Sequence, residues 1–123
     1  MLPAAHRMRR SQEFTQTVRH GRRAGGPVLS VHVWQRPANA EPVRVGLVVP
    51  KGVGTAVRRT AVKRRLRALA RARLDRFAPG GLVVLRAGSA SGSATSQSLA
   101  LALDAALGRA LSRPPRAGAA EPR

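Results

Sequence analysis

Short apolar runs separated by glycine, proline and basic residues indicate the strands of this chain. Residues 28–35 and 43–49 alternate between apolar and polar positions, so each predicts a strand with one buried face. Residues 82–85 are apolar throughout and predict a strand in the interior of a sheet. We predict a basic, glycine-rich loop at residues 21–27 and a hairpin connection at residues 36–42.

Three other stretches repeat with the helical period. Residues 12–21 follow a potential N-cap at Ser11, and residues 97–111 carry leucines and alanines on a broad side. A helix between them is predicted to begin near Ala56 and to continue to about residue 76. The order is therefore helix, two or three strands, helix, strand, helix. It predicts an α+β fold, an α/β sandwich in which one mixed, mainly antiparallel sheet of about four strands packs with about three helices.

Chain length and terminal composition predict a single domain. At 123 residues the chain can bury roughly two thirds of its unfolded surface, which is enough for one core. We assign that core to residues 11–111. Residues 1–10 are polar, basic and without periodicity, which predicts a flexible basic arm. The proline-containing residues 112–123 are typical of a disordered tail.

The chain is organised around a basic stretch at residues 51–76, which holds ten of its lysines and arginines. Gly52 and Gly54 permit a tight turn, and the Thr55 hydroxyl is placed to cap the helix that follows. At about 100° per residue, this helix has one apolar side and one cationic side with no acid before Asp75. The apolar side holds Val62, Leu66 and Leu69, and the other side holds Thr60, Lys63, Arg64, Arg67 and Arg71.

Cations at every fourth position form a row along the same helix. Arg59, Lys63 and Arg67 rise by about 6 Å per step, close to the separation of successive phosphates on a nucleic acid strand. The alternative interpretation is a solvated helix face whose charges repel one another. The density of charge favours a polyanionic partner.

The composition also favours a polyanion. Lysine and arginine number 23 against five acids, which gives a formal charge of +18. Arginine suits RNA because guanidinium both binds phosphate and stacks on bases. The chain has no cysteine, which is compatible with a reducing cytoplasm, and no apolar run approaches the ~20 residues of a membrane span. We therefore expect a cytoplasmic protein that does not enter a membrane.

Acidic and histidine residues are too scattered to predict a catalytic or metal centre. A two-metal nuclease needs several converging carboxylates, and a zinc enzyme needs ligands at helical or turn spacing. No two acids are three or four residues apart, and none adjoins a histidine. We therefore expect no catalytic residues and no metal ligands in the polypeptide. The residues concerned are Glu13, Glu41, Asp75, Asp104 and Glu121, with His6, His20 and His32.

Aromatic side chains are scarce, so each is a candidate platform for a base. Phe14, one of only three, either anchors the core or stacks on RNA. The strand face with Ser30, His32 and Trp34 either lines a groove or forms the half-exposed side of an antiparallel sheet. Gly46 on the next strand leaves room for a close neighbour, either backbone or ligand.

The segment VGTAVRRTAVKRRLR at residues 53–67 is similar to the arginine-rich signature of the protein subunit of bacterial ribonuclease P, usually VGNAVxRNxxKRxxR. Thr55 and Thr60 stand where that family usually has asparagine. The preceding RMRRSQEF, HGRR and RVGLVV also resemble family sequences, so the resemblance runs over about residues 7–85. The matched positions are Val53, Gly54, Ala56, Val57, Arg59, Lys63, Arg64 and Arg67.

The resemblance implies a protein subunit that binds the catalytic ribonuclease P RNA, one copy per RNA, and contacts the 5′ leader of precursor tRNA. The RNA would cut the phosphodiester bond with Mg²⁺ that is bound mainly by the RNA. The family also implies a left-handed strand-helix-strand crossover. The residues implied to bind RNA are Lys51, Arg58, Arg59, Thr60, Lys63, Arg64, Arg67 and Arg71, and those implied to line a leader cleft are Phe14, Arg19 and His32.

The chain departs from the family pattern in the proposed leader cleft, and other functions share its general plan. Relatives often have aromatics where this chain has Arg19 and His32, so we expect weaker base stacking and stronger phosphate contact in the cleft. A basic ribosomal protein or RNA assembly factor without a processing role shares the same plan, and only the signature argues against it. A DNA-binding module is disfavoured because no helix-turn-helix pair or dimerising heptad is visible.

Overall fold

A computed structural model describes residues 2–35 and 41–112, which form one four-stranded sheet flanked by helices. The strand order is β1-β2-β4-β3, in which β3 and β4 are parallel and the other two pairs are antiparallel. This is the mixed, mainly antiparallel sheet of the predicted α+β fold. The strands are β1 (Arg22–Gly25), β2 (Leu29–Trp34), β3 (Arg44–Val48) and β4 (Leu82–Ala87), and the helices are α1 (Ser11–His20), α2 (Ala56–Arg71) and α3 (Ser96–Ser112).

Two predictions about the strands are wrong. Strand β1 occupies residues that were predicted as a loop. Its only buried residue is Ala24, which pairs with Val31 of β2, and the two arginines and the glycine around it give no alternating apolar pattern. Strands β2 and β3 do not form a hairpin, since β4 lies between them. The apolar β4 is buried on both faces, and a central position gives it a neighbour on each side.

The main core covers one face of the sheet. Val33, Val83 and Val45 form a row across β2, β4 and β3, and none is more than 2% exposed. Helix α3 lies against this face and is buried along one side. Burial of each large aliphatic side chain contributes about 1.5–3 kcal/mol. The buried residues of α3 are Leu99, Leu103, Ala106, Leu107 and Ala110.

Helix α2 begins where the sequence predicts and turns the predicted side to the core. The Thr55 hydroxyl oxygen accepts a hydrogen bond of 3.2 Å from the backbone N–H of Arg58, which caps the first turn. Val62 and Leu66 are fully buried, and Ala70 continues the same side one turn later. The helix is thereby attached along one edge, and its opposite side faces away from the core.

Helix α2 ends earlier than predicted, at Arg71, and a single 3₁₀ turn at Leu74–Arg76 follows it. The Arg73 guanidinium donates to the Leu69 carbonyl at 3.0 Å and forms two hydrogen bonds, of 2.6 and 3.0 Å, with the Asp104 carboxylate of α3. These contacts satisfy a carbonyl of the last turn with a side chain instead of a further helical N–H. The same ion pair joins the end of α2 to α3.

Helix α1 covers the opposite face of the sheet. Phe14 lies over Gly46 of β3 and packs with Met8 in a second, smaller apolar cluster. Leu82 and Val84 of β4 form the floor of that cluster. Gly46 therefore has a close neighbour, but that neighbour is an aromatic side chain and neither of the two predicted, backbone or ligand.

The N-terminal segment packs along the free edge of β3, where the sequence predicts a flexible arm. The Met8 N–H donates to the Val45 carbonyl at 3.0 Å, and Arg7 forms a parallel bridge with the same residue. Leu2 is 2% exposed, and His6 Nδ1 is 2.7 Å from the Val43 carbonyl oxygen. The contacts that order this segment come from residues more than 30 positions away, so its own sequence gives no sign of them.

Three remaining predictions concern other parts of the chain. The predicted tail lies outside the described residues from position 113 onward, and so does most of the predicted connection at 36–42. Within the described ranges, none of the helices is both long and apolar enough to cross a membrane.

We predict that Gly46→Ala destabilises the fold by about 1–3 kcal/mol. A Cβ atom at this position would overlap the Phe14 ring and lie 3.0 Å from the Met8 sulfur, so the α1 packing must shift. Urea denaturation measures the loss. In a Phe14→Ala background the same substitution should cost less, because the overlapping ring is absent. Equal costs in both backgrounds would contradict this contact.

We also expect the Asp104 ion pair to contribute stability that depends on pH. The hydrogen bond from Arg73 lowers the pKa of Asp104 below its ordinary value, so the contribution is present above that value and is lost as the pH falls through the folded-state pKa. The Asp104 side chain is 49% exposed, and solvent screening limits the contribution to less than about 1 kcal/mol.

Asp104→Asn should therefore lower the free energy of unfolding slightly at neutral pH, and the difference from the wild type should shrink in acid. Denaturant titrations over a series of pH values measure both effects. Asp75→Asn is the matched control, because Asp75 forms no ion pair within the described ranges. A loss of the same size and pH dependence in the control would refute the role of the ion pair.

Candidate nucleic-acid interface

The side of α2 that faces away from the core is a surface of free cations. Lys63, Arg64, Arg67 and Arg71 are all exposed, and none forms an ion pair with a residue in the described parts of the chain. Thr60 is exposed among them. The structure thus brings five of the predicted RNA-binding residues onto one side of a rigid helix, because burial of Val62 and Leu66 sets its rotation.

Two further predicted residues lie at the start of this surface. Lys51 is exposed in the 3₁₀ turn Lys51–Val53, which is followed by Gly54 with a φ of 148°. Only glycine adopts that backbone conformation readily, so the tight entry into α2 depends on it. Arg59 is half-buried, and its Nε atom is enclosed without a hydrogen-bond partner among the described residues.

Arg58 does not join the other cations. It lies about 180° around the helix from Arg67, and its aliphatic part packs near Gly54 and Gly92. Arg65 is on the same flank and donates to the Ala94 carbonyl at 3.3 Å. Arg58 is exposed but lies apart from the other cations predicted to bind RNA. Its contact with RNA stays a prediction.

A second group of cations lies where α1 begins and was absent from the residues predicted to bind RNA. Arg7, Arg9, Arg10 and Arg44 surround an open cavity of about 240 Å³. Arg44 is the least free of them, since its guanidinium is 2.8 Å from the Glu13 carboxylate and 3.4 Å from that of Glu41. The chain start is visibly rich in arginine, but only its pairing with β3 fixes these side chains near the sheet.

A smaller cavity connects the two groups. It has a volume of about 150 Å³ and lies between the N-terminal segment, the edge of β3 and α2. Arg7 lines one side of it, and Lys63 and Arg67 line the other. The cationic surface therefore continues from α2 across the edge of β3 to the beginning of α1. The apolar lining consists of Leu2, Met8, Phe14, Val45 and Leu47.

The three residues predicted to line a leader cleft are placed differently from one another. Phe14 is partly buried and lies above Gly46, and His32 is on the same sheet face two strands away, at about 10 Å. His32 is only 6% exposed, so it offers little surface to a ligand. Arg19 is exposed and lies about 160° around α1 from the buried Thr17, on the side away from the sheet.

An aromatic pair near the end of α1 was not predicted. The rings of His20 and Trp34 are 5.2 Å apart with an interplanar angle of 39°. Both residues are partly buried, and Trp34 also packs against the cluster that contains Phe14. The pair lies on the same face of the sheet as Phe14. The alternation of β2 already places Trp34 on that face, but His20 gives no signal in sequence.

Histidine and acidic side chains are the potential metal ligands in the described residues. Among residues 2–35 and 41–112, no three histidine or acidic side chains lie close enough together to hold a metal ion. The donor groups in these two ranges therefore do not fit a catalytic metal.

A protein-family model described as Ribonuclease P matches residues 2–111, which include the N-terminal segment and all three helices except the last residue of α3. The chain belongs to the ribonuclease P protein family. This assignment confirms the resemblance that the signature at residues 53–67 indicates. The match also begins at Leu2, so the segment that packs on β3 is part of the family domain.

Individual relatives agree with the family assignment. The ribonuclease P protein component of Streptomyces griseus is 50% identical over 118 residues, which covers 90% of this chain and 96% of the relative. That of Beutenbergia cavernae is 52% identical over 107 residues, covering 87% and 89%. The ribonuclease P protein of Staphylococcus aureus has a similar fold, with a TM-score of 0.73 at 20% identity over 85% of this chain and 94% of that one.

Membership in the family establishes the general role of the protein. Ribonuclease P proteins are subunits of a ribonucleoprotein endoribonuclease that processes the 5′ end of tRNA, so this family member has an RNA partner. Ribonuclease P is a metal-dependent ribonuclease. A ribosomal protein or assembly factor without a processing role is thereby set aside.

Proposed function

We propose that α2 binds the catalytic RNA of ribonuclease P through Lys63, Arg64, Arg67 and Arg71, with one protein bound per RNA. The observation that carries this proposal is that these four cations are exposed on one side of one helix and have no acidic partners in the described chain. Unpaired cations held at helical spacing repel one another, and phosphates relieve that repulsion.

The N-terminal arginines extend the same RNA surface. Arg7 shares a cavity with Lys63 and Arg67, while Arg9 and Arg10 line the next cavity along. A phosphate chain that follows these cavities passes from α2 to the start of α1 without leaving cationic surface. Lys51, Arg59 and Thr60 contribute at the other end of α2, and Arg58 contributes less because it lies on the opposite flank.

The leader of precursor tRNA is the proposed ligand of the α1 face. Phe14 is the partly exposed aromatic there, and the His20–Trp34 pair is a second surface for a base. His32 supports this face from below because it is nearly buried. Arg19 projects from the outer side of α1 and is placed to meet phosphates that pass over the helix, not bases between the helix and the sheet.

The protein's part in the reaction is electrostatic and positional. Its cations neutralise crowded phosphates, which lowers the concentration of Mg²⁺ that the RNA needs to fold and to bind substrate. We assign the catalytic Mg²⁺ mainly to the RNA, because the described protein residues offer no cluster of metal ligands. Contact with the leader makes the complex favour precursor over mature tRNA. A cysteine-free, basic RNA-binding protein of this kind suits the cytoplasm.

We predict that Arg64→Ala and Arg67→Ala each weaken binding to the ribonuclease P RNA by roughly 10-fold at low salt. If about six phosphates are contacted, log K should fall with log salt at a slope near −4, and each substitution should make the slope less steep by about 0.7. Filter binding over a range of salt concentrations measures both quantities.

Arg109→Ala is the matched control for these two variants. It removes the same charge from an exposed position, but on α3. Thermal unfolding should be unchanged in all three proteins because each side chain is exposed. If Arg64→Ala and Arg67→Ala both kept wild-type affinity, or if Arg109→Ala lost as much, α2 would not be the RNA surface.

We also predict that cleavage of a precursor tRNA at low Mg²⁺ requires both the matching ribonuclease P RNA and this protein. The protein alone should be inactive, because it supplies positioning and charge but no reacting group. The RNA alone should become active only when Mg²⁺ is raised. Cleavage by the protein alone, or equal cleavage by the RNA with and without protein at low Mg²⁺, would refute this division of roles.

A further inference from the structure

An exposed aliphatic side chain lies in the first turn of α2, at the N-terminal end of the cationic side. Val57 is 82% exposed, more than either of the other large exposed hydrophobic residues in the described chain, Val18 and Leu101. It lines an open depression of about 350 Å³ on the helix surface. The other lining residues are Ala56, Thr60, Ala61 and Arg64.

These residues form a second helical stripe that the fold does not use. Val57, Thr60, Ala61 and Arg64 occupy positions i, i+3, i+4 and i+7, the spacing by which a helix presents one face to a partner. The stripe that packs on the core is a different one, at Val62, Leu66 and Ala70. No described residue covers Val57, since most of its surface is in contact with solvent.

Neither stability nor solubility explains a valine here. A β-branched side chain forms helix less readily than alanine, lysine or arginine, which make up most of α2. An exposed position gains nothing from burial in the folded protein. A single exposed valine is ordinary on a protein surface. This one lines a depression together with Arg64, on a helix whose exposed side carries cations.

The charge around the depression identifies the kind of partner. Arg64 lines the same depression as Val57, so a phosphate bound at Arg64 brings its attached nucleotide to that depression. A paired nucleotide keeps its base inside the duplex, whereas an unpaired nucleotide can turn the apolar face of its base toward the protein. The stripe has an aliphatic residue at one end, two small residues next to it and a cation at the other end, which matches a base joined to its phosphate.

We infer that Val57, together with the methyl groups of Thr60 and Ala61, is a contact site for the base of an unpaired nucleotide in the RNA bound by α2. This inference rests on the proposed function, because the cations deliver the RNA and Val57 adds selectivity to it. Phosphate contacts alone accept any sequence and any strand. An apolar contact beside the phosphate contacts favours RNA segments whose bases are unpaired.

Salt dependence separates the two kinds of contact. Binding of phosphates releases counterions and weakens as salt rises, whereas burial of apolar surface does not. Val57→Thr preserves the shape of the side chain and exchanges one methyl group for a hydroxyl. It should weaken binding to the ribonuclease P RNA by roughly 3- to 10-fold at every salt concentration, with the slope of log K against log salt unchanged.

Two RNA probes and two control variants complete the experiment. On a blunt, fully paired RNA duplex, Val57→Thr should bind as the wild type does. Leu101→Thr removes an exposed aliphatic group from α3, where the side chain is 66% exposed, and should leave binding to both probes unchanged. Val57→Ala favours the helix and should weaken binding to the ribonuclease P RNA as Val57→Thr does, which keeps the test valid if threonine disturbs the first turn.

The outcomes distinguish this inference from the proposed function. Wild-type affinity in Val57→Thr and Val57→Ala, with weakened binding in Arg64→Ala, would overturn the nucleotide contact and leave the RNA surface intact. An equal loss on the paired duplex would overturn the assignment to an unpaired nucleotide. Wild-type affinity in Arg64→Ala and Arg67→Ala would instead remove the proposed function on which the inference rests.

Discussion

The direction in which this protein presents its charge depends on how α2 is attached to the core. Val62 and Leu66 are fully buried, and Ala70 continues their line. A rotation of the helix by one residue, about 100°, would bring arginine toward the core and is prevented by the cost of burying an unpaired charge. The apolar side thus fixes the cationic side, although no contact among the cations themselves holds them in place.

The few acidic residues support this arrangement through their positions. Glu13 and Glu41 both pair with Arg44, and Asp104 pairs with Arg73 and Arg76. These pairs join β3 to α1 and the end of α2 to α3, so the acids hold elements together. None of them neutralises Arg64 or Arg67. In a chain with a formal charge of +18, this placement leaves the exposed cations of α2 without acidic partners in the described residues.

Most local features were predictable and long-range features were not. The exception is the predicted N-cap of α1, since Ser11 is the first helical residue and Arg10 is the cap, without a side-chain hydrogen bond. The Thr55 cap and the two sides of α2 follow from residues within four positions of each other, and the structure has both. The sequence predicted that a group would pack closely against Gly46, but it did not predict that this group is the Phe14 ring. The interior position of β4 was predictable from its apolar run, but the pairing of β1 and the insertion of β4 between β2 and β3 depend on distant residues, which periodicity cannot reveal.

The same limit applies to the candidate site. Lys63, Arg64, Arg67 and Arg71 could be grouped from helical spacing alone. Arg58 was grouped with them by charge, but its packing against Gly92 depends on a segment more than 30 residues away. In the sequence, the arginines near the chain start indicate a flexible arm. In the structure they lie beside the sheet, because the Met8 N–H donates to the Val45 carbonyl.

Pairing of the N-terminal segment with β3 also covers part of the edge of the sheet. Strand β3 is at one end of the sheet, and a bare strand edge is a template for association with other chains. Through the Met8 N–H and the Arg7 bridge, the segment occupies part of this edge and surrounds it with positive charge. A shortened protein without these residues would lose the arginines proposed to bind RNA and would also expose a strand edge. Weaker activity in such a protein would therefore reflect self-association as much as a missing ligand contact.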